Sequence, residues 1–124
     1  MTLRTWPRLA SSLLRWTRSV RGDIYQLKAS KYSRGHEQAG ARYAVVLQSE
    51  DLPLSTYLIA PTSTSCRPAS FRPEVEIGGV KTRVMVEQLN VVDPQIRFGN
   101  FAGRLDRDEL LQIDAAVLLV LGLD

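Results

Sequence analysis

Most of the chain after residue 22 consists of short apolar runs separated by turn residues. The first three runs are rich in β-branched and aromatic residues and have the length of strands: residues 23–27 (DIYQL), 43–48 (YAVVLQ) and 56–60 (TYLIA). Pro61 follows the third run and is expected to end that strand. The polar stretch 28–40 separates the first two runs, and loops of about a dozen residues in compact domains are usually functional or disordered.

Two later apolar runs flank Gly78-Gly79 and predict a tight hairpin, because the favoured two-residue hairpin turns need positive φ angles. Residues 83–87 (RVMVE) complete this hairpin, and weaker strands are predicted at 89–92 and 101–105. Five or more short strands and one terminal helix favour a small, strongly curved antiparallel sheet or barrel. The predicted fold is therefore mainly β.

The last element is predicted to be a helix between Asp106 and Gly122. Asp106 with Glu109 three residues later has the pattern of a capping box, and glycine is common just past a helix end. The helix carries a predicted core face, which four further apolar residues widen: the face is Leu110, Ile113, Val117, Val120 and Leu121, and the others are Ala115, Ala116, Leu118 and Leu119. A helix that is apolar on most sides packs against more than one neighbour, which suggests a subunit interface.

Residues 1–20 form a separate basic arm ahead of a domain at 21–124. Between residues 6 and 20 the apolar positions recur every three or four residues, which predicts an amphipathic helix. Five arginines and no acid lie in residues 1–21, so residues 22–124 hold eleven basic against thirteen acidic side chains. Such a helix could bind a membrane surface or a nucleic acid, or act as a targeting segment. Equally, it could be a terminal helix that packs on the domain, or the product of an over-long gene start. We expect deletion of residues 1–20 to leave the specificity of the domain intact.

Composition narrows the chemistry of the domain. A length of 124 residues fits one domain, and Cys66 and His36 are the single cysteine and histidine, which excludes an internal disulfide and a structural zinc site built from one chain. We expect a reducing, cytoplasmic setting or simple indifference to redox conditions. No apolar run has the length of a membrane span, so no membrane association through a spanning helix is expected.

Two groups of polar residues stand where loops meet buried strands. Arg42 immediately precedes the strand at 43–48, and the hydroxyl residues 62–65 follow the strand at 56–60. Taken singly, Arg42 fits a surface arginine and the hydroxyl residues fit turn formers. Taken together, a guanidinium and a hydroxyl that converge would suit a phosphate, because arginine offers a planar fork of donors to phosphoryl oxygens.

Several segments in order resemble the MazF/PemK family of toxin endoribonucleases. They are RGDIY at 21–25, GHEQAGAR at 35–42, AVVL at 44–47, IAPTS at 59–63, VEQL at 86–89 and Arg104-Leu105, and together they span about residues 21–122. The resemblance implies an SH3-like small β-barrel with a C-terminal helix. It also implies a homodimer, a cognate MazE-like antitoxin, and metal-independent cleavage of single-stranded RNA without a cofactor.

The resemblance assigns site residues. It implies that Arg42 and Ser63 are catalytic and that Glu37 and Gln88 help to place RNA. Gln38, Tyr43 and Thr62 complete the predicted RNA-binding set. Charge builds on the phosphoryl oxygens in the transition state, so Arg42 is expected to stabilise that charge rather than act as a base. Glu37 or a water would take the 2′-hydroxyl proton, or Glu37 would instead pair with Arg42 or fix the loop.

The sequence departs from the family at two site positions. Tyr43 stands where proline is usual and could stack on a base or fill the barrel mouth, and Ser63 stands where threonine is frequent. His36 takes a position that is commonly serine, and it is the weaker candidate for a base. Two alternatives to an RNA-cleaving toxin remain: a toxin of the same fold that acts by protein binding, like the gyrase poison CcdB, and an inactive paralogue that sequesters antitoxin.

Overall fold

In the computed structural model of the chain, residues 19–29 and 42–124 are described. The elements along these residues, in chain order, are β1 (Asp23–Leu27), β2 (Tyr43–Val46), β3 (Tyr57–Ser63), β4 (Glu74–Ile77), β5 (Val80–Val84), the 3-10 helix Val86–Gln88, β6 (Asn90–Val92), α1 (Pro94–Arg97), β7 (Phe98–Arg104) and α2 (Arg107–Leu121). The loop predicted at 28–40 and the arm helix predicted at 6–20 fall largely outside the described residues.

The strands form one curled antiparallel sheet in the order β4-β5-β3-β2-β1-β7. Strand β3 has two partners along its other edge, because β6 pairs with residues 57–59 and β5 pairs with residues 62–63. The sheet therefore bends around β3 into a half-barrel, and α2 packs on its concave core. This architecture confirms the prediction of a mainly β fold of the small-barrel type with a C-terminal helix.

Strands β1 to β3 are buried on both faces, because successive side chains of a strand point to opposite sides of the sheet. Ile24, Val45 and Ala60 belong to the apolar cluster that α2 covers. Their chain neighbours Tyr25 and Ala44 belong to a second cluster on the opposite side. Two-sided burial explains why the run at 43–46 is continuously apolar instead of alternating.

Aromatic rings hold the second cluster together. The ring of Tyr25 stacks on Phe98 with centroids 4.6 Å apart, and Tyr57 meets the same Phe98 ring edge-on at 6.0 Å. Ser19 is buried here, and its Oγ lies 2.6 Å from the Tyr25 hydroxyl. Burial raises the pKa of Tyr57 to about 12. Ser19, two residues ahead of the predicted domain start at 21, therefore packs against this cluster.

The C-terminal helix begins and ends where the sequence predicts. The carboxylate of Asp106 accepts the N–H of Glu109 at 2.8 Å, and the Glu109 carboxylate accepts the N–H of Asp106 at 3.0 Å, which completes the capping box. Gly122 caps the other end with a φ of 70°. The predicted core face is right except for Leu121, which is exposed, and Ala116 is fully inside the core instead.

Pro61 lies inside β3, so the expectation that it ends the strand is wrong. On the edge of β3 that faces away from β2, β3 pairs with β6 as far as Ile59 and with β5 from Thr62 onward. Pro61 lies between these two paired stretches, so the N–H that proline lacks is not required for a hydrogen bond between strands. Its carbonyl accepts the N–H of Met85 at 2.8 Å, which brings the start of the 3-10 helix to this gap.

The hairpin prediction is confirmed at its turn and corrected at its second arm. Gly78 and Gly79 have φ angles of 59° and 80°, as a type I′ turn requires. The second arm is Val80–Val84, not 83–87, because the chain turns into the 3-10 helix at Val86–Gln88. Helix α1 was not predicted, although its Asp93 cap and Pro94 at the first helical position are a recognisable start signal.

Candidate functional site

Arg42 is half-buried at the entry to β2. Its carbonyl accepts the N–H of Leu27, the last residue of β1, at 2.8 Å. The backbone of Arg42 is therefore held by the sheet, although the residue itself lies just before β2 begins. The sequence prediction therefore puts Arg42 at a rigid strand boundary, and the structure agrees with that placement. Glu37 and Gln38, predicted beside it, lie outside the described residues, as does His36.

The Thr62 hydroxyl joins β3 to β2 at the point where their ladder ends. The pairing of these strands runs from Val46 opposite Ile59 to Ala44 opposite Pro61. At the next position Thr62 Oγ1 accepts the N–H of Tyr43 at 3.3 Å and donates to the Tyr43 carbonyl at 3.2 Å. One buried hydroxyl thus satisfies both backbone groups of Tyr43, and the two residues next to Arg42 and Ser63 in sequence are in contact.

Ser63 is the last residue of β3 and is buried, with 4% of its surface exposed. Its Oγ accepts the N–H groups of Ser65 and Cys66, each at 3.1 Å. This is a serine turn, in which a side-chain oxygen organises the first residues of the following loop. The hydroxyl is therefore fixed in place by the loop at 64–73, and a change in that loop would move it.

Gln88 lies on the other side of β3, exposed at the end of the 3-10 helix. This helix is attached to β3 through Met85, whose N–H reaches the Pro61 carbonyl. Residues 61–63 of β3 therefore have Tyr43 on one side and the 3-10 helix on the other. Of the predicted site residues that the structure describes, Arg42, Tyr43, Thr62, Ser63 and Gln88 all lie on elements that meet at the end of β3.

An ion pair that no sequence pattern predicts lies beside this group. Arg72 donates from Nε and Nη2 to Oε2 of Glu87 at 2.9 and 2.7 Å. The hydrogen bonds that it donates to the Glu87 carboxylate raise the pKa of Arg72 above its ordinary value. Because fifteen residues separate the partners, no local spacing pattern marks them.

Two further findings concern the described residues. Within residues 19–29 and 42–124, no group of three or more His, Cys, Asp or Glu side chains is placed to hold a metal ion. In the same part of the chain, no helix is long and apolar enough to span a membrane.

The curled sheet, the C-terminal helix and the polar end of β3 define a small toxin-type half-barrel, and comparisons with known proteins agree. Residues 20–121 match the family of PemK-like, MazF-like toxins of type II toxin-antitoxin systems. A Mycobacterium tuberculosis protein named as a candidate toxin is 42% identical over 104 residues, which cover 84% of this chain and 98% of the relative. The chain belongs to the PemK-like, MazF-like toxin family.

Solved structures show the same fold at low sequence identity. The MazE-MazF complex from Deinococcus radiodurans matches with a TM-score of 0.68 and 21% identity, covering 86% of this chain and 98% of the other. An endoribonuclease in complex with its cognate antitoxin, from a mycobacterial species, matches with a TM-score of 0.66 and 15% identity, covering 86% and 97%. At these identities the likeness concerns the fold alone.

Proposed function

We propose that this toxin is an endoribonuclease that cleaves single-stranded RNA without a metal ion, with Arg42 and Ser63 as its catalytic residues. The observation that carries the proposal is the Thr62 hydroxyl, which bonds both backbone groups of Tyr43 and so ties the segment of Arg42 to the segment of Ser63. A structural relative named as an endoribonuclease supports the reaction class.

The reaction we propose is an internal phosphoryl transfer. The ribose 2′-oxygen loses its proton and attacks the adjacent phosphorus, the bond from phosphorus to the 5′-oxygen breaks, and the 5′-oxygen takes up a proton. The products are a 2′,3′-cyclic phosphate and a 5′-hydroxyl. Negative charge grows on the non-bridging oxygens, where a fixed guanidinium stabilises the transition state more than the ground state.

Each catalytic residue has one role in this scheme. Arg42 binds the non-bridging oxygens, since its high pKa makes it a poor base at neutral pH. Ser63 donates its hydroxyl to a phosphoryl oxygen or orients the 2′-hydroxyl, and the amides of Ser65 and Cys66 hold its oxygen in position. Glu37 or a water accepts the 2′-hydroxyl proton.

The RNA-binding residues surround this centre. Tyr43 offers a ring on which a base can stack, a contact worth about 1–3 kcal/mol per base in single-strand binders. Gln88 is exposed on the opposite side of β3 and can read a base edge, and Glu37 and Gln38 complete the predicted set. Thr62 has both of its hydroxyl interactions on Tyr43, which favours a positioning role over direct contact with RNA.

We propose three further properties that belong with this function. The protein forms a homodimer, supported by the apolar residues that α2 exposes. It is held inactive by a cognate MazE-like antitoxin, supported by structural relatives solved with their antitoxins. It acts in the cytoplasm, where RNA is available.

The test is the mapping of RNA 5′ ends after brief expression of the wild type and of single variants. We expect new 5′-hydroxyl ends at one short sequence motif for the wild type. Arg42→Ala should lower cleavage by about 10²–10³-fold, the usual cost of removing one donor to a developing oxyanion. Ser63→Ala should also be inactive, whereas Ser63→Thr keeps the hydroxyl and should remain active.

The same experiment separates the alternatives. Growth arrest without new RNA ends would identify a toxin that acts by protein binding. Neither arrest nor cleavage, with antitoxin binding retained, would identify an inactive paralogue that sequesters antitoxin. Cleavage that is unchanged by Arg42→Ala would overturn the catalytic assignment.

A further inference from the structure

The loop that holds the Ser63 hydroxyl is itself held by one arginine. Residues 64–73 connect β3 to β4, and near their end Arg72 turns its guanidinium back over the loop. Nη1 donates to the carbonyl of Arg67 at 3.0 Å. The residue before Arg67 is Cys66, one of the two residues whose amides bind Ser63 Oγ, so Arg72 contacts the loop next to the point where the loop contacts Ser63.

The other two donors of the same guanidinium reach the 3-10 helix. Nε and Nη2 both bind Oε2 of Glu87, the residue before Gln88. The side chains of Arg72 and Glu87 are only 20% and 24% exposed, so this pair is shielded more than an ordinary surface pair. One side chain therefore connects the loop after Ser63 to the helix that carries Gln88.

The backbone of Arg72 is fixed independently of its side chain. Its N–H donates to the Ala69 carbonyl at 3.0 Å, and its own carbonyl accepts from Nη1 of Arg83 at 2.9 Å. Arg83 stands opposite Ser63 in the pairing of β5 with β3. The guanidinium thus projects from a rigid base, and its planar fork makes three directed contacts that a lysine ammonium cannot reproduce.

Glu87 depends strongly on this contact. Its Oε1 is buried and has no hydrogen-bond partner among the described residues, so the carboxylate is compensated through Oε2. Removing Arg72 alone would leave a shielded carboxylate without a counter-charge, which is worse than removing both partners. The two residues should therefore behave as one coupled unit in mutagenesis.

We propose that Arg72 and Glu87 are positioning residues for the site: their ion pair fixes the 64–73 loop, and through it the Ser63 hydroxyl, relative to Gln88. The inference rests on the proposed function for its effect on catalysis. Neither residue needs to touch RNA. The restraint that this ion pair places on the 64–73 loop is a property of the folded chain, so it can be measured without substrate.

The first measurement is amide hydrogen exchange on the full chain for the wild type, Arg72→Met, Arg72→Lys and Glu87→Gln. We expect the Ser65 and Cys66 amides to lose protection in Arg72→Met and Glu87→Gln, and in part in Arg72→Lys. The amides of Gly22 and Leu27, which bond to β2 and its approach, should keep theirs. Protection that falls equally everywhere, or that does not change at Ser65 and Cys66, would overturn the proposal.

The second measurement is steady-state cleavage of a short RNA that carries the mapped motif. We expect Arg72→Met to lower kcat by about 10- to 100-fold, the range in which small misplacements of reacting groups act, with little change in KM. Arg72→Lys should fall between Arg72→Met and the wild type. The double variant Arg72→Met with Glu87→Gln should lose no more than Arg72→Met alone.

Glu74→Gln is the matched control. Glu74 pairs with Arg83 at 3.7 Å in the same corner of the sheet, but it is 46% exposed and, within the described residues, forms no hydrogen bond or ion pair with the 3-10 helix. It should leave kcat and loop protection unchanged. A wild type that cleaves no RNA would overturn the proposed function while the exchange data still decide the positioning role. Cleavage by the wild type with an unchanged kcat in Arg72→Met would overturn the positioning role alone.

Discussion

At the scale of single residues, the Thr62 hydroxyl is the most consequential contact between the strands of the site. A valine in its place would have nearly the same shape but would remove the two hydrogen bonds between this hydroxyl and the backbone of Tyr43. We expect Thr62→Val to lower the free energy of unfolding by about 1–3 kcal/mol, since each such hydrogen bond contributes about 0.5–1.5 kcal/mol. It should also lower kcat, because Arg42 is then no longer held in a fixed position relative to Ser63.

Urea denaturation and RNA cleavage measure the two effects of Thr62→Val, and a second threonine provides the control. Thr82 is also buried, but its hydroxyl donates within β5 to the Val80 carbonyl at 3.0 Å. Thr82→Val should reduce stability without lowering kcat. Equal losses of kcat in the two variants would mean that the Thr62 effect is only a loss of stability.

Tyr57 makes the stability of the protein sensitive to alkaline pH. Burial favours the neutral phenol of Tyr57 and raises its pKa from 10.0 to about 12. Between these two pH values the folded state therefore keeps a proton that the unfolded state has lost. This contribution is complete below pH 10 and is lost as the pH rises towards 12. The slope should reach at most about 1.4 kcal/mol per pH unit.

The comparison that isolates Tyr57 is Tyr57→Phe, which keeps the ring against Phe98 and removes the titrating group. Urea midpoints measured between pH 8 and 11 should fall more steeply for the wild type than for the variant. Parallel curves would show that other groups account for the alkaline loss.

The sequence places the candidate site residues on elements more readily than it predicts what their side chains contact. Arg42 and the hydroxyl residues 62–65 stand out because each marks a boundary between a polar segment and an apolar strand, and the family resemblance singles out Ser63 among the latter. The role of Thr62 depends on a partner nineteen residues away, and the role of Arg72 on one fifteen residues away. Such contacts depend on strand register, which no local pattern encodes.

At the scale of elements, local signals decide which boundaries the sequence can predict. Helix α2 was predicted to the residue, since its cap is formed by side chains three positions apart. The end of β3 was not, because Pro61 is tolerated only through the gap between β5 and β6. The short helix α1 was missed although its cap is local, because four residues give no apolar period to detect.

The capping box offers a test at this scale. Asp106→Ala removes the acceptor for the Glu109 amide and should lower the free energy of unfolding by about 1 kcal/mol. Asp108→Ala is the control, because Asp108 is in the same first turn but does not form the cap. Thermal or urea unfolding of both variants measures the difference. Equal losses would show that charge near the helix start matters more than the cap.

At the scale of the whole molecule, the distribution of arginines shapes how RNA could bind. Within the described residues, four arginines are paired with carboxylates: Arg21 with Asp114, Arg72 with Glu87, Arg83 with Glu74 and Arg104 with Asp23. The positive charges of these four side chains are therefore largely neutralised by carboxylates of the same domain. The proposed recognition of RNA, by a domain whose net charge after residue 21 is −2, would therefore depend on a few placed groups rather than on bulk attraction.

The outer face of α2 tests the proposed homodimer. Leu111, Ala115 and Leu118 share one side of this helix, away from the core residues Ile113 and Ala116, and Leu111 and Leu118 are 54% and 43% exposed. Leucines that become buried contribute about 1.5–3 kcal/mol each, and a charge among them is strongly unfavourable. We therefore expect Leu118→Glu to shift the protein from dimer to monomer in sedimentation equilibrium.

Gln112→Glu is the matched control for that experiment, because it adds the same charge to the same helix at an exposed polar position. It should leave the dimer intact, while Leu118→Glu should raise the dissociation constant by at least about tenfold, since each 1.4 kcal/mol is a factor of ten. The circular dichroism of both variants should match the wild type, because neither residue belongs to the buried core. A dimer unaffected by Leu118→Glu would place the subunit contact on another surface, and the exposed leucines of α2 would then need a different partner.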